Sequence, residues 1–329
     1  MKALVYKGPG QLVFQEMPRP ITIDEEKLIK IDSVGICGSD MHAFLGHDER
    51  RPAPLILGHE VSGTIVDGLQ KGQRVTVNPL VGCGHCPACV SGRDNLCPDR
   101  KIISMPPKEG GFAQYLSMRM GNLTVVPDEF SLEKACMVEP IACGWHAVRL
   151  AKAALSSQWD GIRALVIGGG AIGVGSALSL IAQGIQNVTV TEPNEKRRKF
   201  LSPENSFSVI SPGELADNDY YDLVIDAVGY APTRATASKV VRPGGVIVHI
   251  GLGSAEDGLD IRRVTLQEIM FIGTYTYTAA DFRAAAAAMF DGRLGALEWY
   301  EVRPLENGAH AFSDIRQGQV AAPKIILKP

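Results

Sequence analysis

Hydrophobic and polar positions change rhythm near residue 144. Before it, short alternating apolar segments at 3–6, 12–15, 27–34, 61–66 and 74–77 are broken by Gly and Pro, which predicts an antiparallel, partly barrel-like β region. Beyond it, helix-length stretches alternate with apolar runs at 164–167, 188–191, 223–226, 246–250 and 269–273. Strands alternating with helices predict a doubly wound α/β unit, a parallel sheet covered on both faces. The tail reads as loops, an Ala-rich helix over 281–290 and a closing strand over 324–327. The expected organisation is a β-rich unit over 1–144, an α/β unit over 145–279 and a return segment, 280–329, that completes the first unit.

Residues 164–191 carry no charge, a length that spans a bilayer on hydropathy alone. Five glycines between Gly168 and Gly175, followed by Gln183, Gly184, Gln186 and Asn187, instead fit a buried strand, turn and helix, so no membrane association is expected. The whole chain, 329 residues at 45% apolar and 21% charged, has the composition of a globular protein. Its 33 basic against 36 acidic residues, a net of -3, argue against a nucleic-acid partner and favour small molecules. The opening Met-Lys-Ala-Leu-Val-Tyr reads as a strand without an apolar signal region, so the expected location is cytoplasmic.

The densest chemical signal is Cys83-Gly-His-Cys86-Pro-Ala-Cys89 followed by Cys97, a lobe at about residues 80–100. This spacing lets four thiolates converge on one tetrahedral ion. The alternative, a pair of disulfides, needs an oxidising compartment. A closed set of four cysteines leaves a zinc ion no open position, so its expected role is structural.

A second signal is Leu165-Val-Ile-Gly168-Gly-Gly170-Ala-Ile172-Gly173, the G-x-G-x-x-G pattern between a strand and a helix. Gly168 permits the tight turn, Gly170 the approach of a pyrophosphate, and Gly173 close helix–strand packing; Ile172 lies in the same turn. Glu192 ends the next strand about 20 residues on, where a carboxylate bonds the ribose hydroxyls and repels a 2′-phosphate. NAD is therefore expected over NADP, although Lys196, Arg197 and Arg198 follow closely enough to offer an anion site.

Cys37 in Gly-Ile-Cys37-Gly-Ser39-Asp40-Met-His42, and His59 and Glu60 in Gly58-His59-Glu60, are weak ligand candidates taken singly. Taken with the cysteine loop through Asn95-Leu96-Cys97, with Glu139-Pro140 and with the glycine turn, they carry a resemblance over essentially the whole chain. The sequence resembles the zinc-dependent medium-chain dehydrogenase/reductase family, in its branch of sorbitol, threonine and related polyol dehydrogenases.

The resemblance implies a GroES-like catalytic domain joined to a Rossmann domain, and a catalytic zinc besides the structural one. It implies that Cys37 and His59 hold this zinc with carboxylate help from Glu60 and Glu139, either of which is the direct ligand. Ser39 is then expected to contact the alcohol oxygen and His42 to stand later in a proton relay. Cys143 falls at a position beside the nicotinamide, and Cys136 in the core. A homodimer or homotetramer is the expected assembly, with strand 269–273 as a pairing edge.

Two departures bear on substrate. The segments 64–74 and 199–222 are short for the family, which predicts a trimmed cleft rim and adenine side. Where sorbitol dehydrogenases carry an arginine that helps hold the polyol, this chain has Thr276, flanked by Tyr275 and Tyr277. The expected function is NAD-dependent oxidation of a secondary alcohol of a polyol to the ketone. The alternatives are an aldonate or threonine-type substrate, or a nucleotide-binding protein without dehydrogenase activity whose zinc is structural.

Overall fold

The computed structural model describes residues 1–23, 25–155, 159, 161–201, 206–216 and 218–329. Part of the short 199–222 segment thus lies outside the described residues. Among the described residues no helix is long and apolar enough to cross a membrane.

Two sheets set the architecture. In the first, Leu123–Val125, Arg74–Val77, Glu60–Ile65, Glu26–Gly35, Lys324–Lys328 and Tyr300–Pro304 lie side by side in that order, and Tyr115–Arg119 also pairs with Glu26–Gly35. All pairings are antiparallel except that of Tyr300–Pro304 with Lys324–Lys328. The apolar alternation of these strands buries Ile29, Ile31, Val34, Val61, Ile65, Val75 and Val77 in one core together with Phe112 and Phe312. The last strand therefore returns to the first unit: Ile326 pairs with Gly35, and Gly35 in turn with Glu60.

The second sheet is parallel, in the order Ser208–Ile210, Asn187–Thr191, Arg163–Ile167, Tyr221–Asp226, Val241–His249, Met270–Gly273. Numbered along this unit the order is 3-2-1-4-5-6, the doubly wound arrangement whose ligand crevice opens where the strand order reverses, beside Arg163–Ile167. The helices Val138–Leu155, Ala171–Ala182 and Ala279–Phe290 cover one face and share its core. Their contact is close because glycine permits it: a Cβ on Gly144 would lie 2.6 Å from the backbone nitrogen of Ser176. The Ala-rich run within Ala279–Phe290 thus packs against Val138–Leu155, and Tyr300–Pro304 is the next element to rejoin the first sheet. Among the elements unmarked by the apolar pattern are the strands Tyr115–Arg119 and Leu123–Val125, the short strand Ser208–Ile210, the strand Tyr300–Pro304 with its charged Glu301 and Arg303, and the helix Gly308–Arg316.

Candidate active site

A cleft of about 320 Å³ lies between the two sheets. Cys37, Ser39, His42, His59, Glu139 and Cys143 line one side, and Ile172, Val228, Ile250 and Thr276 line the nucleotide side.

Cys37 stands at the start of the helix Gly38–Phe44, where Asp40 at the third helical position turns back to accept the Cys37 N–H at 3.0 Å. The other oxygen of Asp40 accepts the Gly58 N–H at 3.1 Å and lies 3.4 Å from His59 Nδ1. One fully buried carboxylate thus fixes the backbone of both ligand segments and the ring of His59, leaving Nε2 for the cleft. Burial alone raises its pKa, but His59, Arg51 and the Cys37 N–H outweigh that and hold Asp40 below the usual carboxylate range. Ser39 Oγ lies 3.5 Å from His59 Nε2, and His42 is on the same short helix.

The donor atoms of Cys37, His59 and Glu60 all lie within 4.8 Å of one another. A thiolate, an imidazole oriented through its far nitrogen and a carboxylate form a donor set suited to zinc with one position left open. Gly35 makes room for Glu60, since a Cβ there would stand 1.9 Å from its Oε2. Glu139 lies outside this group among the described residues. Its Oε1 accepts a 2.7 Å bond from the hydroxyl of Tyr277, which is fully buried and so does not face substrate. Burial raises the Glu139 pKa, with Glu60 adding to the effect and His59 and Tyr277 opposing it.

The sulfur atoms of Cys83, Cys86, Cys89 and Cys97 likewise fall within 4.8 Å of one another, and all seven cysteines are free thiols. Backbone N–H groups of His85 and Cys86 lower the Cys83 thiol to about 6. This lobe touches the cleft wall: Asn95 donates to the Tyr275 carbonyl at 2.8 Å, and Asp94 accepts the Ala279 N–H at 3.0 Å.

At the nucleotide side Gly168 has φ +103°, and a Cβ on Gly173 would stand 1.7 Å from the Gly168 carbonyl oxygen. A Cβ on Gly170 would meet nothing within 4 Å, so open space lies over the N-terminus of the helix Ala171–Ala182, as a pyrophosphate requires. Glu192 is buried at the end of its strand. It accepts the Gly169 N–H at 3.0 Å and the Asn194 N–H at 2.8 Å, with Arg197 Nη1 3.7 Å away. The carboxylate expected at the ribose therefore braces the glycine turn.

Lys324, in the last strand, escapes the sequence patterns and places its ammonium on Glu60. Asp40, which reads locally as holding the turn or supporting a ligand, does both, since it ties Cys37 to His59. The capping position of Asp40 behind Cys37 is the only local signal for either.

Residues 23–128 match the model of the alcohol dehydrogenase GroES-like domain, and residues 171–291 that of the zinc-binding dehydrogenases. L-Galactonate-5-dehydrogenase of Escherichia coli is 34% identical over 90% of this chain and 89% of that protein. Sorbitol dehydrogenase of Bacillus subtilis is 31% identical over 84% and 82%. The crystal structure of galactitol-1-phosphate dehydrogenase from Escherichia coli superposes with a TM-score of 0.88 at 25% identity, covering 100% of both chains. The chain belongs to the zinc-dependent medium-chain dehydrogenase/reductase family, in its polyol dehydrogenase branch. It is a zinc- and NAD-dependent oxidoreductase built from a GroES-like and a Rossmann unit.

Proposed function

We propose that the protein oxidises a secondary alcohol of a polyol to the ketone: the C–H bond leaves as hydride to NAD, giving NADH, and the hydroxyl proton passes to solvent. The observation that carries this reading is the convergence of the donor atoms of Cys37, His59 and Glu60, with Cys37 and His59 lining the cleft that also receives Ile172 from the first turn of the helix Ala171–Ala182. When bound, zinc supplies Lewis acidity at the alcohol oxygen and NAD the hydride acceptor. Cys37, His59 and Glu60 hold the metal. Glu139, fixed by Tyr277, is a further carboxylate facing the cleft. Ser39 Oγ accepts the alcohol proton as it gives up its own, and His42, later in that relay, passes a proton to solvent. Ile172, Val228 and Ile250 form an apolar wall that keeps water from the reacting carbon. Gly168, Gly170 and Gly173 seat the pyrophosphate, Glu192 the adenosine ribose, and Arg197 braces Glu192. Cys83, Cys86, Cys89 and Cys97 hold the structural zinc.

The division into 1–144, 145–279 and 280–329 is supported by the two sheets and by the return of Lys324–Lys328 to the first. A homodimer or homotetramer is supported by the free edge of Met270–Gly273, where Met270 and Phe271 are exposed. A cytoplasmic location suits a chain whose thiols must stay reduced to bind metal.

The test joins metal analysis to a screen of alcohols with NAD. About two zinc ions per chain and NADH formation from polyols are expected. Cys37→Ala is expected to abolish turnover while NAD binding persists, and appreciable residual turnover would overturn the assignment.

A further inference from the structure

We propose that Asp226 and Arg234, two buried groups of opposite charge bonded to the two ends of Gly229, are positioning residues for the cofactor: together they fix the nucleotide-side wall of the cleft and so set its affinity for NAD and NADH. The proposal rests on the dehydrogenase reading above and adds to it two residues that stand behind the cleft lining.

The wall itself has little side chain with which to pack. Ala227, Val228, Ile250, Gly251 and Gly253 line the cleft from two neighbouring segments. The segments are laced by main-chain bonds: the Ile250 and Gly251 N–H groups donate to the Asp226 carbonyl at 2.9 and 3.0 Å, that of Gly253 to the Val228 carbonyl at 3.2 Å, and that of Ser254 to the Gly229 carbonyl at 3.0 Å. Their approach is closest at Gly229, which has φ +80° and where a Cβ would stand 2.1 Å from the Gly251 carbonyl oxygen. Moving Gly229 therefore moves both segments.

Gly229 is held at both ends by charge. Asp226, 0% exposed, ends the strand Tyr221–Asp226 beside the point where the strand order reverses. Its Oδ1 accepts the Gly229 N–H at 2.9 Å and the Val228 N–H at 3.0 Å. Its Oδ2 accepts the Thr233 hydroxyl at 3.0 Å and lies 3.2 Å from His249 Nδ1. Burial acts to raise the Asp226 pKa, but His249 and the two N–H groups outweigh burial and hold it below the usual carboxylate range. Arg234, 8% exposed, lies in the helix Ala231–Val240 that follows. Its Nη1 donates to the Gly229 carbonyl at 2.8 Å and to that of Ser254 at 3.1 Å, its Nε to that of Asp257 at 3.2 Å, and its Nη2 to those of Glu256 and Asp257. All of these acceptors are main-chain carbonyls.

An anion thus receives the N–H of Gly229 and a cation donates to its carbonyl, the two polarities that make each bond charge-assisted. Buried charges are a poor source of stability, yet each of these directs its bonds to the backbone of one cleft wall and so selects one arrangement of it. Tyr230, the next residue, carries the effect into the cleft. It lines the cleft with its ring against Gly253, where a Cβ would meet three ring atoms at 2.9 Å.

The experiment reads NADH affinity by fluorescence titration of the zinc-loaded protein, under conditions where urea unfolding curves show each variant to be folded. Arg234→Met and Asp226→Asn are each expected to raise the Kd for NADH by about tenfold with zinc content unchanged. Arg234→Lys is expected to restore part of the loss, since an ammonium keeps the charge but reaches fewer carbonyls. Because both residues act on Gly229, the double variant is expected to raise Kd by ~10- to 30-fold, short of the roughly hundredfold product of independent effects. In turnover, kcat/KM for NAD should fall by a similar factor while KM for the alcohol holds, a split that general loosening of the fold does not give. An unchanged Kd in folded Arg234→Met, or the full product in the double variant, overturns the proposal and leaves the dehydrogenase reading standing. Where Arg234→Met does not fold, Arg234→Lys decides: a Kd raised about threefold supports the clamp, and an unchanged Kd overturns it. If the protein binds NADH but oxidises no alcohol, the dehydrogenase reading fails while the NADH titrations still decide here; if it binds no NADH, both fail.

Discussion

Lys324 and Glu60 close the floor of the metal-binding cleft: the ammonium lies 2.6 Å from Oε1 and 2.7 Å from Oε2, with side chains 2% and 0% exposed. Nζ also donates to the Ile36 carbonyl at 2.9 Å, so the last strand of the chain is bonded to the segment just before Cys37. Removing the cation strands a buried carboxylate beside a thiol ligand. Lys324→Met is expected to cost about 3–5 kcal/mol in urea unfolding of the metal-free protein. The loss should be smaller in the zinc-loaded protein, where a cation again faces Glu60, and smaller in Lys324→Met/Glu60→Gln. Equal losses in metal-free and zinc-loaded protein would sink the idea that Glu60 answers to both cations.

The cysteine lobe is scaffold that reaches the cleft wall. Asn95 holds the Tyr275 carbonyl and Arg100 lies over the Tyr275 ring, so order in the lobe sets the position of Tyr275. Cys97→Ser is expected to lower bound zinc by about one ion per chain and to cut kcat/KM for the alcohol by ~10- to 100-fold. NAD affinity should stay near its original value. Unchanged kcat/KM in a protein that has lost this zinc would mean that the lobe and the cleft are uncoupled.

How much of this was legible in the chain depended on distance along it. The glycine turn, the four-cysteine loop and five of the six strands of the parallel sheet are local patterns, and the structure has them within a few residues of the expected places. Fold class and the metal-binding segments could be read for that reason. The pairings that finish the site are not local: Lys324 lies 264 residues from Glu60, and Tyr277 lies 138 from Glu139. A lysine opening the run Lys324-Ile-Ile-Leu reads as a strand end at the surface, and only the register of Ile326 on Gly35 carries it into the core. Tyr277 reads as a packed strand aromatic or as a hydroxyl for substrate, and no pattern reveals that its partner is Glu139. Tyr300–Pro304 was illegible because its charged residues, Glu301 and Arg303, pair with each other and Arg303 also with Asp314, leaving no apolar face to notice.

Glu192 braces the glycine turn through Oε2, which accepts the Gly169 N–H, and under the proposed function it also binds the ribose. Glu192→Ala is expected to lower the NAD-to-NADP preference in kcat/KM by about tenfold or more and also to weaken NAD itself, since the glycine turn loses a brace. Glu192→Gln should keep much of the brace while losing the charge that repels a 2′-phosphate. An unchanged ratio in both variants would remove Glu192 as the discriminator.

Asp281 predicts how the molecule responds to acid. It stands at the third position of the helix Ala279–Phe290, where its carboxylate accepts from Thr278 Oγ1 at 2.7 Å and from Arg149 at 2.6 and 3.0 Å and lies 2.7 Å from His146 Nδ1. Burial acts to raise its pKa, but these partners outweigh burial and hold Asp281 far below the ordinary value. A carboxyl group depressed in the folded state contributes stability that is complete above its unfolded pKa, about 3.9, and is lost as the pH falls through the folded value. Unfolding free energy should therefore decline progressively below about pH 5, as the docking of Ala279–Phe290 on Val138–Leu155 weakens. Asp281→Asn should cost about 2 kcal/mol at pH 7 and flatten the decline between pH 5 and the acid limit, because the variant has no such proton to take up. Urea titrations at several pH values read both quantities, and parallel pH dependence in the two proteins would show that the acid response originates elsewhere.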